Sequence, residues 1–221
     1  MKGLAFKDRF LESLQRRGFD FPTLHVSRHR NVYVCGDPAD ALYFVESGQV
    51  KLLMLSSEGK ACLLGIQTAG DIFGELCLAD SGPRQEAAIA MKDTKLRRLP
   101  RSLFLEHLTR NSLLEGFARY LAARVGNHQQ AIASLITVDS EHRLAETLLL
   151  LAQKLGRPNS DSTRIEHKIT HEELAEMVGT TRPRITEFLL KFRGLGLIDV
   201  NRDRFLVVQQ HALSQYLSRT A

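Results

Sequence analysis

The stretch THEELAEMVGTTRPRITEFLLKFR, residues 170–193, decides how the C-terminal region folds. Thr170 followed by Glu173 forms a capping box, in which a hydroxyl and a carboxylate satisfy two backbone N–H groups left open where a helix begins. Leu174, Ala175 and Val178 then recur at helical spacing, and Gly179 supplies the stop. Thr181 reads as the N-cap of a second helix over residues 182–193, with Pro183 in the first turn, where no internal hydrogen bond is lost. Ile185, Leu189 and Phe192 supply its buried face. Two helices joined by a glycine turn read as a helix-turn-helix, whose second helix enters the major groove of duplex DNA. On the face away from Ile185 and Leu189 stand Arg182, Arg184 and Glu187. Arginine can grip guanine through two hydrogen bonds, and a carboxylate can accept from the cytosine amino group. Further along, Asn201-Arg202-Asp203 turns between two apolar strand-length runs and reads as a wing.

Charge follows the same layout. Residues 180–204 carry six Lys or Arg against three Asp or Glu, whereas the preceding helix holds Glu172, Glu173 and Glu176. Positive charge thus gathers on the second helix and the wing, where phosphates would lie. The residues expected to meet DNA are Thr170, His171, Thr180, Thr181, Arg182, Arg184, Glu187, Lys191, Arg202 and Arg204.

Working backwards, Asp139 is an N-cap for a helix over residues 141–155 with Leu144, Leu148 and Leu151 on its apolar face. Gly156-Arg157-Pro158 and the polar residues 159–163 have loop composition. Residues 112–138 contain no proline, and Leu114, Phe117, Leu121, Val125, His128, Ile132 and Leu135 fall three or four apart. This is a long amphipathic helix with a coiled-coil type of seam, about 40 Å long, more than one small domain can hide. Phe117, Leu121, Val125, His128, Ile132 and Leu135 are therefore expected at a homodimer interface. Leu103–Leu108 reads as a short helix.

Residues 31–100 are different in kind. Leu42–Val45, Val50–Leu55 and Cys62–Ile66 are strand-length apolar runs, separated by turns at residues 36–38, 46–48 and 56–59. They suggest a compact β-barrel or roll. A helical pattern over residues 5–17 precedes them, with Phe6, Phe10 and Leu14 four apart.

The bulk properties exclude other classes. The chain has 221 residues, 43% hydrophobic, and a formal net charge of +5, with a pI near 9.3. That is room for two domains and a mild bias toward a polyanionic partner. No apolar run reaches the ~18 residues of a membrane span, and residues 1–10 do not form a secretory signal, so a cytoplasmic protein is expected. Cys35, Cys62 and Cys77 are scattered, with no CxxC pair, so neither a disulfide framework nor a metal site is expected. No nucleophile elbow, HExxH, GxxxxGK[ST] or paired-carboxylate pattern occurs, so no catalytic residues and no enzyme activity are expected.

Taken together, the sequence resembles the superfamily of the cyclic-AMP receptor protein and the fumarate–nitrate reductase regulator, from about residue 21 to residue 208. The resemblance is carried by Gly36-Asp37, residues 42–48, Glu58-Gly59-Lys60 and residues 70–76 (GDIFGEL). In the C-terminal part it is carried by residues 143–149, Ile169-Thr170, residues 174–179, Arg182 and residues 195–198. It implies an α+β chain. An effector-sensing β-roll similar to a cyclic-nucleotide-binding jelly roll would span residues 1–110, a dimerisation helix 111–138, and a winged helix-turn-helix 139–221. It also implies a homodimer on a pseudo-palindromic operator, a small-molecule effector, and RNA polymerase as a partner.

The sensor departs from the cyclic-AMP pattern. The resemblance places the effector pocket at Gly74, Glu75, Leu76, Arg84, Gln85, Glu86, His128 and Gln129. Cyclic-AMP receptors carry an Arg-Ser pair after the Gly-Glu-Leu turn. Equal spacing puts Gln85-Glu86 there, with Arg84 one residue early and hence expected on the opposite face. A carboxylate at Glu86 would repel a phosphate. An iron–sulfur cluster needs four cysteine ligands and only three cysteines exist, while Cys77 reads as a core residue rather than a haem ligand. The expected function is a sequence-specific DNA-binding transcription regulator whose ligand is not cyclic AMP. Two alternatives stay open: a regulator that does bind a cyclic mononucleotide, and a cyclic-nucleotide regulatory module that does not bind DNA.

Overall fold

The computed structural model describes residues 2–15, 21–55, 61–79, 82–159 and 162–220. The turn expected at residues 56–59, the Glu58-Gly59-Lys60 part of the resemblance, and the end of the first helix at residues 16–17 lie outside the described residues. The chain divides into two compact units, Met1–Gln129 and Gln130–Ala221.

The first unit opens with α1 (Lys2–Gln15), followed by β1 (Thr23–Val26), β2 (Asn31–Tyr33), β3 (Ala41–Ser47), β4 (Gln49–Leu55), β5 (Ala61–Thr68) and β6 (Ile72–Phe73). A 3-10 turn (Glu75–Leu78), β7 (Ala87–Ala90), β8 (Thr94–Pro100) and α2 (Arg101–Arg110) complete the roll. Two antiparallel sheets, ordered β1-β8-β3-β6 and β2-β7-β4-β5, lie face to face. Alternation along β3 explains its unbroken apolar sequence. Tyr43 and Val45 point into the core between the sheets with Tyr33, Val50, Leu52, Phe73 and Leu96. Leu42 and Phe44 point the other way, into a second core with Phe6, Phe10, Phe104, Leu108 and Phe117. A strand buried on both faces loses the apolar–polar alternation of a half-exposed one. Each wholly buried phenylalanine contributes about 1.5–3 kcal/mol, and aromatic contacts link α1 to α2 through Phe10 and Phe104 at 5.8 Å.

α3 (Leu114–Thr137) runs for 24 residues and corrects one expectation at its N-terminal end. Phe117, read as part of a dimer seam, is only 4% exposed and packs edge-on against Phe104 at 5.0 Å within the same chain. Leu121 is half-buried against the same core. Periodicity marked the apolar face but not which protein surface covers it. Beyond that point the stripe is open: Val125, Ile132 and Ile136 are 55%, 58% and 80% exposed, and His128 and Leu135 are exposed as well. No helix among the described residues is long and apolar enough to cross a membrane.

The second unit contains α4 (Ser140–Leu155), β9 (Gly156–Asn159), β10 (Ser162–Ile165), α5 (His171–Val178), α6 (Arg182–Gly194), β11 (Ile198–Val200), β12 (Leu206–Val208) and α7 (Gln210–Thr220). Asp139 caps α4 by accepting from the His142 N–H at 2.8 Å. Leu144, Leu148, Leu174, Val178, Ile185, Leu189, Phe192, Ile198, Val208 and Leu213 are buried. The loop expected over residues 156–163 is instead a hairpin, β9–β10. It forms because β10 pairs with β12 through Thr163 opposite Val208 and Arg164 opposite Val207. Long-range pairing overrides local turn composition here. One sheet, ordered β11-β12-β10-β9, results.

Candidate nucleic-acid interface and sensor site

α5 begins with the full capping box: the Glu173 N–H donates to the Thr170 hydroxyl at 3.1 Å and the Thr170 N–H to the Glu173 carboxylate at 2.9 Å. It ends at Gly179, whose φ of +68° is left-handed and whose N–H donates to the Ala175 carbonyl. Thr180 follows with its N–H on the same carbonyl at 3.1 Å. The glycine thus turns the chain sharply enough to launch α6 across α5. Arg143 locks this corner, with its Nε donating to the Val178 carbonyl at 2.9 Å and another guanidinium N–H to the Val138 carbonyl.

Thr181 occupies the N-cap position of α6 as expected, though its side chain makes no capping bond among the described residues. Pro183 follows in the first turn. Among the described residues no side chain caps the opening N–H groups of α6, of which Pro183 has none, and the exposed Thr181 hydroxyl stands at the same end. Ile185, Leu189 and Phe192 anchor the helix, while Arg182, Arg184 and Glu187 are exposed. Among the described residues no side-chain partner holds Arg182 or Arg184. His171 Nδ1 lies 2.8 Å from the Thr186 hydroxyl, which reaches the Arg182 carbonyl at 3.1 Å, so α5 fixes the first turn of α6. Lys191, read as a phosphate contact, is already engaged: both Glu141 carboxylate oxygens lie within 2.8 Å of its ammonium. That bond, ahead of the one from Tyr216, raises the lysine's affinity for its proton.

The wing joins β11 and β12 through residues 201–205, closed by the Phe205 N–H on the Asn201 side chain at 2.8 Å. Arg202 and Arg204 are exposed there, Arg204 with a left-handed φ of +65°. Arg164 and Lys168 lie 5.5 Å and 5.4 Å from the Phe205 ring centre. The sequence reading did not single out these two cations, because what brings them together is the ring of Phe205, some forty residues along the chain. In this unit, then, cations cluster at the start of α6, at the wing tip and at the wing's base.

In the first unit, the sensor residues surround the turn at Gly74 (φ +78°), where an added Cβ would lie 2.8 Å from an Arg84 nitrogen. Arg84 is 3% exposed and points inward, Gln85 outward, and Glu86, 4% exposed, inward. This corrects the expectation that Arg84 faces away, since counting residues through a loop does not fix the register of the strand after it. Its guanidinium donates to the Gly74 carbonyl at 3.0 Å and the Ala41 carbonyl at 2.5 Å, and stacks on Tyr33 at 4.3 Å. Tyr33 in turn donates to the Glu86 carboxylate at 2.8 Å. Burial, then the neighbouring Glu86 charge, push the phenol far above its ordinary range, so it stays a donor.

Glu75 pairs with Arg124 of α3 at 2.9 Å, and Arg124 also donates to the Ile72 carbonyl at 2.8 Å. Arg124 was missed in the sequence, although its spacing of four from Tyr120 placed it on the roll-facing side. His128 and Gln129 are exposed, and no bond brings them to this cluster; α3 meets it one turn earlier, at Arg124. Leu76 is half exposed, and Cys77 is wholly buried in the helix-side core, where burial raises its thiol pKa.

Known proteins share both halves of this layout. Residues 23–111 match the cyclic nucleotide-binding domain family, and residues 142–216 the Crp-like helix-turn-helix domain family. The chain is 31% identical over 202 residues to the CRP-like cAMP-activated global transcriptional regulator of Mycobacterium tuberculosis, covering 91% of this chain and 88% of that protein. It is 29% identical over 195 residues to the global nitrogen regulator of Synechococcus elongatus, covering 86% and 87%. A CRP-family transcriptional regulator from Thermus thermophilus superposes with a TM-score of 0.75 at 26% identity, over 88% of this chain and 96% of its own.

Proposed function

The chain belongs to the family of the cyclic-AMP receptor protein and the fumarate–nitrate reductase regulator, and from that premise we propose a homodimer that reads a pseudo-palindromic operator under a sensor that does not use cyclic AMP. It is a DNA-binding transcription regulator, not an enzyme, with a helix-turn-helix and a sensor domain of the cyclic-nucleotide-binding type.

The observation that carries the DNA half is the set of exposed arginines, Arg182 and Arg184 at the start of α6 and Arg202 and Arg204 on the wing. None has a side-chain partner among the described residues. Arg182 and Glu187 read base edges; Arg184, Arg202, Arg204 and the N-terminal turns of α5 and α6 hold phosphates. Thr170, His171, Thr180 and Thr181 belong to those turns, and Lys191, held by Glu141, contributes least. The open stripe Val125–His128–Ile132–Leu135 supports a partner helix from a second copy. RNA polymerase is the downstream partner and the cytoplasm the working compartment.

For the sensor, the buried Glu86 beside Tyr33 supports a ligand other than cyclic AMP. A second reading, a cyclic mononucleotide, is favoured by one observation, the inward guanidinium of Arg84.

Selection from a random duplex pool with ligand-free protein tests the whole reading. Enrichment of two half-sites about one helical turn apart is expected. Salt-sensitive binding without sequence enrichment, both alone and with cyclic AMP added, would overturn the operator-reading role.

A further inference from the structure

We propose that Glu86 sets the charge of the ligand the roll accepts, closing it to anionic ligands and leaving it open to neutral or cationic ones. This rests on the reading above that the roll is a sensor whose ligand is not cyclic AMP, and it names the side chain responsible.

The argument begins with donors and acceptors. Arg84 is the buried arginine among the roll's described residues, and two of its N–H groups are spent on the Gly74 and Ala41 carbonyls. Its Nε has no hydrogen-bond partner. Glu86, two residues on and on the same inner face, accepts from Tyr33 through one carboxylate oxygen, while the other is buried without a partner. Tyr33 joins the two, with its ring under the Arg84 guanidinium and its hydroxyl on Glu86. The chain has thus placed a buried carboxylate and a buried guanidinium on the same tyrosine. Glu75 adds a second carboxylate at the same turn, also with one unpartnered oxygen, and Arg124 balances it.

Two consequences follow from electrostatics in a poorly solvated interior. A phosphate or carboxylate ligand drawn to Arg84 meets the Glu86 charge held on the same tyrosine, with little water to screen the repulsion. Conversely, the unpartnered Glu86 oxygen is an acceptor waiting for a hydrogen-bond donor, since a buried polar atom left unsatisfied is costly. A ligand that offers an N–H or O–H there satisfies it; a phosphate or carboxylate oxygen, itself only an acceptor, cannot. Discrimination by a built-in repulsive group is a general route to specificity.

The test compares wild type, Glu86→Gln and Glu86→Ser by isothermal titration with two probes of the same base and ribose, anionic cyclic AMP and neutral adenosine. Circular dichroism and operator binding confirm that each variant folds. Glu86→Gln keeps the size and the Tyr33 contact, and Glu86→Ser serves if the glutamine variant misfolds. The expected result is at least a tenfold gain in cyclic-AMP affinity in a folded variant, with adenosine affinity unchanged or lowered. Equal gains for both probes would indicate a steric effect and overturn the charge assignment. No gain for either probe, with wild type also silent to cyclic AMP, overturns the role of Glu86 while leaving the ligand reading in place. Tight, saturable binding of cyclic AMP to wild type overturns both.

Discussion

Arg182 opens α6 with its backbone carbonyl held by Thr186 and its side chain exposed. A guanidinium fixed at its root and free at its tip suits two-point recognition of guanine. Arg182→Ala is expected to cost about 1–3 kcal/mol, concentrated at one base pair of each half-site. Competition among single-base operator variants checks this, and an equal loss on every sequence would make Arg182 a phosphate contact instead. Gly179 governs the same corner from the backbone. At φ +68° an added Cβ would lie 3.2 Å from Leu135 Cδ2, and left-handed backbone costs an ordinary residue about 1–2 kcal/mol. Gly179→Ala should lower stability by that order in chemical denaturation, and Gly179→Asn by less, because asparagine tolerates this conformation. These residue-scale features were legible in the sequence because caps, glycine stops and N-terminal prolines act within a few residues. Arg84 was not, since its direction depends on strand register, which only the assembled sheets decide.

At the scale of elements, α3 shows what periodicity can and cannot say. Its apolar spacing is one continuous signal, yet the structure divides it: Phe117 and Tyr120 are buried in the roll's helix-side core, and the residues from Val125 onward remain open. Nothing in spacing distinguishes a neighbour in the same chain from one in another. Replacing both Val125 and Ile132 with glutamate should therefore leave thermal stability of the single chain within about 0.5 kcal/mol, because exposed sites tolerate change. Sedimentation should show the dimer falling to monomer, with operator affinity lost alongside. A double variant that stays dimeric would move the interface elsewhere. The hairpin β9–β10 was hidden for a related reason. Its polar, proline-containing sequence reads as loop, and only pairing with β12, far along the chain, makes it sheet.

For the whole molecule, cation placement sets how binding responds to salt. Arg184, Arg202 and Arg204 in each of two protomers would displace about six counterions, giving a slope near −5 for log affinity against log salt concentration. Anisotropy titrations from low to high salt measure it, and a slope near −2 would remove the wing from the interface. Strand-length runs, a long helical period and a capped helix pair followed one another along the chain, and the family resemblance named the roll, the dimerisation helix and the winged helix. The sheet of the second unit has one further bearing on the molecule in solution. β9 is one of its two edge strands, with β10 on one side and no strand among the described residues on the other. Pro158 sits within β9 and has no N–H to offer an incoming chain. A border of that kind resists stacking of one molecule's sheet onto the next, so Pro158→Thr is expected to raise aggregation at high concentration, as light scattering would read it.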